Sequence, residues 1–99
     1  MQIWCSDRRG GVSRAPFDSC NVGDHVGDDP EAVTRNRGLV AATAGLPGPA
    51  AWQWMDQVHG NCVVEAAAAP RDRPTADAAV TASPTLPVAV VTADCAPIV

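Results

Sequence analysis

The sequence predicts an α/β fold: a single mixed β-sheet with flanking helices, incomplete at its C-terminal end. Three observations predict it. A capped helical pattern covers residues 30–44. Apolar, β-prone runs follow at 52–58, 62–66, 76–82 and 87–93. The 99 residues are 46% hydrophobic and 18% charged, a globular composition large enough for one modest core.

Taken in order, Gln2 to Cys5 is short, apolar and aromatic, which predicts a first strand. In Arg8-Arg9-Gly10-Gly11-Val12-Ser13 the glycine pair marks a turn whose backbone amides can face a ligand or another strand. Phe17 to Gly27 is rich in Asp, Asn and Gly without periodicity, and reads as a loop. Asp28-Asp29-Pro30-Glu31 then opens a helix: an Asp caps the free amides, Pro30 suits the first turn and Glu31 suits the positive end of the dipole. Val33, Asn36, Val40 and Ala44 share one side, Ala32 and Leu39 lie beside them, and Arg35 and Arg37 fall elsewhere on the surface. Gly45 and Pro47 end the helix.

Trp52–Val58 and Cys62–Ala66 flank Gly60-Asn61, a pair that favours a tight turn, and this predicts a β-hairpin. The Pro-punctuated run 67–75 reads as an exposed loop, 76–82 as a strand and 83–86 as a turn. Pro87 to Ala93, with its unbroken Val88-Ala89-Val90-Val91, has the look of a strand covered on both faces. No cap or polar tail follows this run before Val99, so the expectation is the N-terminal part of a longer protein.

Charge excludes one class of function. The net charge is −4, and the seven cations are all arginines scattered from Arg8 to Arg73. With no basic stripe to neutralise phosphates, nucleic-acid binding is not expected. No apolar run approaches the roughly 20 residues of a membrane span, and the N-terminus lacks a signal-peptide pattern. A cytoplasmic protein is expected. Cys5, Cys20, Cys62 and Cys95 then read as free thiols or ligands, with no Cys-x-x-Cys pair among them.

Two residues stand out for chemistry. His59 precedes the Gly-Asn turn, where it is either incidental to a surface hairpin or a metal ligand or general base. Cys95 follows Asp94 where a strand ends, and reads as a thiolate ligand, a nucleophile or a small buried hydrophobe. For Asp94 itself, binding backbone amides in a turn competes with orienting a ligand. His59 and Cys95 would give zinc two donors, whereas a catalytic zinc site takes about three plus an open position. His25, Cys5, Cys20 and Cys62 are the other candidates within the chain. A thiolate nucleophile at Cys95 with His59 as its base is the second enzymatic reading.

Several of these stretches, in order, resemble the laccase-domain family, the YfiH-type purine nucleoside phosphorylases formerly called polyphenol oxidases. They are Arg8 to Ser13, Asn21-Val22-Gly23-Asp24-His25-Val26-Gly27-Asp28-Asp29, Gln57-Val58-His59-Gly60 and Thr92-Ala93-Asp94-Cys95. Asn36-Arg37 and Ala76-Asp77-Ala78-Ala79-Val80-Thr81 match as well. The resemblance implies a YfiH-like fold and a mononuclear zinc held by His-Cys-His, with His59 and Cys95 as the first two ligands. The third belongs to a His-Ala-Gly-Trp-Arg-Gly-like segment that this sequence does not contain. It further implies purine nucleosides and phosphate as substrates, with adenosine deamination and methylthioadenosine phosphorolysis as related activities. A zinc centre suits that chemistry, since it lowers the pKa of a water it binds. Arg8 is the candidate for holding an anion, and Asn21 and Gln57 for polar substrate contacts. A non-catalytic binding module is the reading from outside enzymology. Copper, suggested by the older family name, finds little support, because a multicopper centre needs many histidines and the chain has His25 and His59.

Overall fold

In the computed structural model, which describes residues 1–67 and 72–99, helix α1 runs Pro30–Ala44, as its local signals predict. Asp29 caps it by accepting the Glu31 N–H at 3.0 Å, and Pro30 occupies the first turn. Gly45 ends it in the left-handed region at φ 67°, which lets its N–H and that of Leu46 reach the last carbonyls of the helix. No helix among the described residues is long and apolar enough to cross a membrane.

The chain forms two compact units, Met1–Pro49 and Ala50–Val99. In the first, α1 buries Val33, Asn36 and Ala41 against the preceding loops. Asn36 is the hub. Its carboxamide nitrogen donates to the Ser13 hydroxyl (2.8 Å) and to the Asn21 and Ser19 carbonyls (2.8 and 3.3 Å). Its oxygen accepts the Val12 N–H at 2.8 Å. A fully buried amide holding four groups, from Val12, Ser13, Ser19 and Asn21, tells the Gly10-Gly11 turn and the 17–27 loop where to lie. Asp28 reinforces them, and the Ser13 hydroxyl, ahead of Asn21 and the Asp29 N–H, holds its carboxyl below the usual carboxylate range.

Three expectations for this unit change. Gln2–Cys5 is not a strand, and Ile3 and Trp4 lie exposed. Arg37 is not a surface residue, because its guanidinium turns inward, donating to the Val22 carbonyl at 2.8 Å and pairing with Asp24 at 3.3 Å. Leu39, placed beside the apolar side, is exposed.

The second unit contains β1 (Val63–Glu65) and β2 (Ala78–Val80), paired in parallel with Val63 opposite Ala78 and Glu65 opposite Val80. Single parallel bridges join Gln53 to Val88 and Asp56 to Thr75. Every strand pairing among the described residues is therefore parallel, which requires crossover connections and not tight turns. Trp52, Met55, Ala66 and Ala76 are buried beneath these pairings, and the Trp52 and Trp54 rings stack 5.5 Å apart.

The predicted hairpin is thus overturned. Trp52–Val58 and Cys62–Ala66 do not pair with each other; both turn to the 74–80 segment, as Asp56 N–H donates to Pro74 and Ala66 N–H to Val80. The strand expected over 87–93 is reduced to the bridge at Val88, and residues 88–91 alternate between exposed (Val88, Val90) and half-buried (Ala89, Val91). One face of this run is open, against the two-sided cover expected. Of the expected 67–75 loop, residues 68–71 lie outside the described residues. The turn at 83–86 is present, centred on Pro84-Thr85.

Candidate functional site

The segment that carries His59 is pinned on either side of it. Just before, the Gln57 carboxamide imitates a strand partner: its oxygen accepts the Val91 N–H at 2.8 Å and its nitrogen donates to the Val91 carbonyl at 3.0 Å. Together with the Gln53–Val88 bridge, this makes two segments advance side by side in the same direction. His59 comes two positions after Gln57, and Cys95 four positions after Val91. Both lie past the paired stretch, His59 in the bend at 59–60 and Cys95 in the bend at 93–95, following the C-terminal ends of the two segments; ligand sites of open α/β sheets gather at such strand ends. Both residues are exposed there, and Cys95 is a free thiol.

Around His59 itself the backbone is bent by Asp77. One carboxylate oxygen accepts the N–H groups of Val58 (3.0 Å) and His59 (2.9 Å), and the other accepts that of Gly60 at 2.7 Å. His59 adopts φ 58°, in the left-handed region seldom used by residues with a side chain. The Gly60 N–H, ahead of those of His59 and Val58, holds the Asp77 carboxyl below its ordinary range. Asp77 appears in the sequence only within an Ala-Asp-Ala pattern. What could have marked it is the need of three consecutive amides at a turn for an acceptor.

The remaining candidates divide between the units. Arg8 is exposed in the first, with its guanidinium donating to the Asp18 carbonyl at 2.7 and 3.0 Å and lying 3.6 Å from the Asp18 carboxylate. Asn21 uses its amide locally, on both backbone groups of Gly23 and on Asp28. Gln57, expected to touch substrate, spends both amide atoms on Val91. His25 is exposed, 3.9 Å from the Asp24 carboxylate. Cys20 is buried, and that burial, with the Asp7 charge second, pushes its thiol pKa up, away from ligand-forming thiolate. Cys5 and Cys62 are exposed. Asp94, also exposed, forms a bend with Ala93 and Cys95.

Zinc accepts imidazole nitrogen and thiolate sulfur. His59 and Cys95 are donors of these two types, and both side chains are exposed. Among the described residues no group of three or more His, Cys, Asp and Glu side chains could hold a metal ion.

Residues 2–99 match the family model described as multi-copper polyphenol oxidoreductase laccase. A purine nucleoside phosphorylase of Mycobacterium tuberculosis is 55% identical over 93 residues, which cover 92% of this chain and 36% of the relative. Another from Streptomyces coelicolor is 50% identical over 95 residues, covering 94% and 39%. The purine nucleoside phosphorylase YfiH of Escherichia coli is 42% identical, covering 95% and 38%. A crystal structure from Neisseria meningitidis superposes with a TM-score of 0.77 at 46% identity, over 89% of this chain and 35% of the other. YlmD from Geobacillus stearothermophilus gives 0.74 at 31% identity, over 80% and 32%. The chain spans little more than a third of the length of the curated relatives it matches.

Proposed function

The chain belongs to the family described as multi-copper polyphenol oxidoreductase laccase, and from that membership we propose that it forms part of a zinc-dependent purine nucleoside phosphorylase. The observation that carries the proposal is the name shared by relatives 42% to 55% identical over more than nine-tenths of this chain: each is called a purine nucleoside phosphorylase.

In this reading His59 and Cys95 are two of three zinc ligands, and the third donor is not among residues 1–99. Zinc, when bound, supplies Lewis acidity toward a purine or phosphate oxygen. The chain's own residues bind and orient. Arg8 offers an exposed guanidinium to an anion such as phosphate. Asn21 and Gln57 contribute by fixing the 21–28 loop and the His59 segment. Adenosine deamination and methylthioadenosine phosphorolysis belong to the same proposal as further activities of the complete protein.

A chimera tests this, with the present chain replacing the matched segment of the Mycobacterium tuberculosis relative. It is expected to release free base from inosine in the presence of phosphate and to retain zinc through purification. Its Cys95→Ser form is expected to lose both. Retained stoichiometric zinc with abolished turnover would instead make Cys95 a nucleophile, and a chimera that folds and binds zinc without any purine chemistry would sink the proposal. The 99-residue chain by itself is expected to give no turnover.

A further inference from the structure

We propose that Asp77 is the positioning residue for His59, clasping the Val58–Gly60 turn so that the imidazole is presented at the sheet edge in a single backbone pose. The proposal rests on the reading of His59 as a ligand given above. Three consecutive N–H groups converge on one carboxylate, at 3.0, 2.9 and 2.7 Å. Such a concave run of amides is a cradle for an anion, and here a side chain of the same chain fills it. The left-handed backbone at His59 is sparsely populated for a residue with a Cβ and persists only where its surroundings over-determine it.

Asp77 supplies that over-determination because it is itself anchored. Its own N–H donates to the Cys62 carbonyl at 3.2 Å, and the next residue, Ala78, begins β2 opposite Val63. The carboxylate therefore ties the residues before the turn to a segment already tied to the residues after it. Gln57 meanwhile ties the approach to Val91. Outer partners of metal-binding residues commonly act on the ligand's ring; here the hold is on the ligand's main chain.

Asp77→Asn is nearly isosteric but places an amide donor where the Gly60 N–H needs an acceptor. The experiment follows the ¹⁵N-labelled 99-residue chain by NMR, measuring amide exchange and then titrating zinc while watching the His59 ring signals. In Asp77→Asn, the His59 and Gly60 amides are expected to exchange at least about tenfold faster, while the Ala66 amide, bonded to Val80 across the sheet, is unchanged. The zinc dissociation constant is expected to rise by about 10- to 100-fold. Should Asp77→Asn also loosen Ala66, the same readings are taken on Asp77→Glu, which keeps the charge and moves it by one methylene. Unchanged exchange at His59 and Gly60 overturns the proposal, as does unchanged zinc affinity once their protection is lost. A parent chain whose His59 signals ignore zinc counts against the metal reading, and Asp77 is then judged on exchange alone.

Discussion

Gly11→Ala is expected to destabilise the first unit by about 3 kcal/mol or more, a large share of the stability of a small unit. A Cβ at this position would run into the Ser19 carbonyl oxygen, the Cys20 Cα and the Asn36 carboxamide. Two of these neighbours are backbone and have nowhere to go. The N–H groups of Ser19 and Cys20 both donate to the Arg8 carbonyl, at 2.9 and 2.8 Å, and the Ser19 carbonyl accepts the Ser13 N–H at 2.8 Å. Opening a gap for the methyl would break this lattice and tilt Asn36 away from its partners. Gly38→Ala serves as the opposite control: it lies within α1, nothing stands near its Cβ position, and a stabilisation of roughly 0.5–1 kcal/mol is expected. Far-UV circular dichroism during urea unfolding reads both, because α1 dominates the helical signal.

The second large effect is at the hub. Asn36→Leu keeps the branched outline of the side chain but strands the Val12 N–H and the Asn21 carbonyl, and takes one of their partners from the Ser13 hydroxyl, which still has Asp28, and from the Ser19 carbonyl, which still has the Ser13 N–H. Each stranded buried group costs about 1–3 kcal/mol, partly recovered where water enters, so a net loss of roughly 3 kcal/mol is expected. The midpoint should fall with α1 lost cooperatively. A shift below about 1 kcal/mol would show that the loops are organised by something other than this amide.

The hub also shows what the sequence made legible and what it did not. Helix α1 could be read to its ends because its start and stop are chemical events between near neighbours: Asp29 on the Glu31 amide, Pro30 in the first turn, Gly45 in the left-handed region. The same reading put Asn36 in line with Val33 and Val40, and a polar residue on the apolar side of a helix signals a buried amide in need of partners. Arg37 was misplaced because its partners, Val22 and Asp24, are fixed by the loop fold and not by helical period. The hairpin failed for a related reason. Gly60-Asn61 is a local turn signal, but the chain only bends at His59-Gly60 without reversing, and the amides there answer to Asp77, far along the chain. That carboxylate, with the crossover to β2, makes the pairing parallel. Parallel pairing leaves little local trace, since its partners are set by register across long connections.

At the site, His59 and Cys95 were picked out by residue type and resemblance, while the Gln57–Val91 clasp that aligns their segments was visible only in three dimensions. Nothing in the run around Gln57 distinguishes an amide reserved for backbone from one free to meet a ligand.

Cobalt(II) tests the proposed grip of His59 and Cys95 on one metal ion. Titrated into the reduced 99-residue chain, cobalt is predicted to raise a thiolate-to-metal charge-transfer absorption that disappears in Cys95→Ser and is strongly weakened in His59→Ala. The same absorption persisting in Cys95→Ser, or at full strength in His59→Ala, would contradict the account.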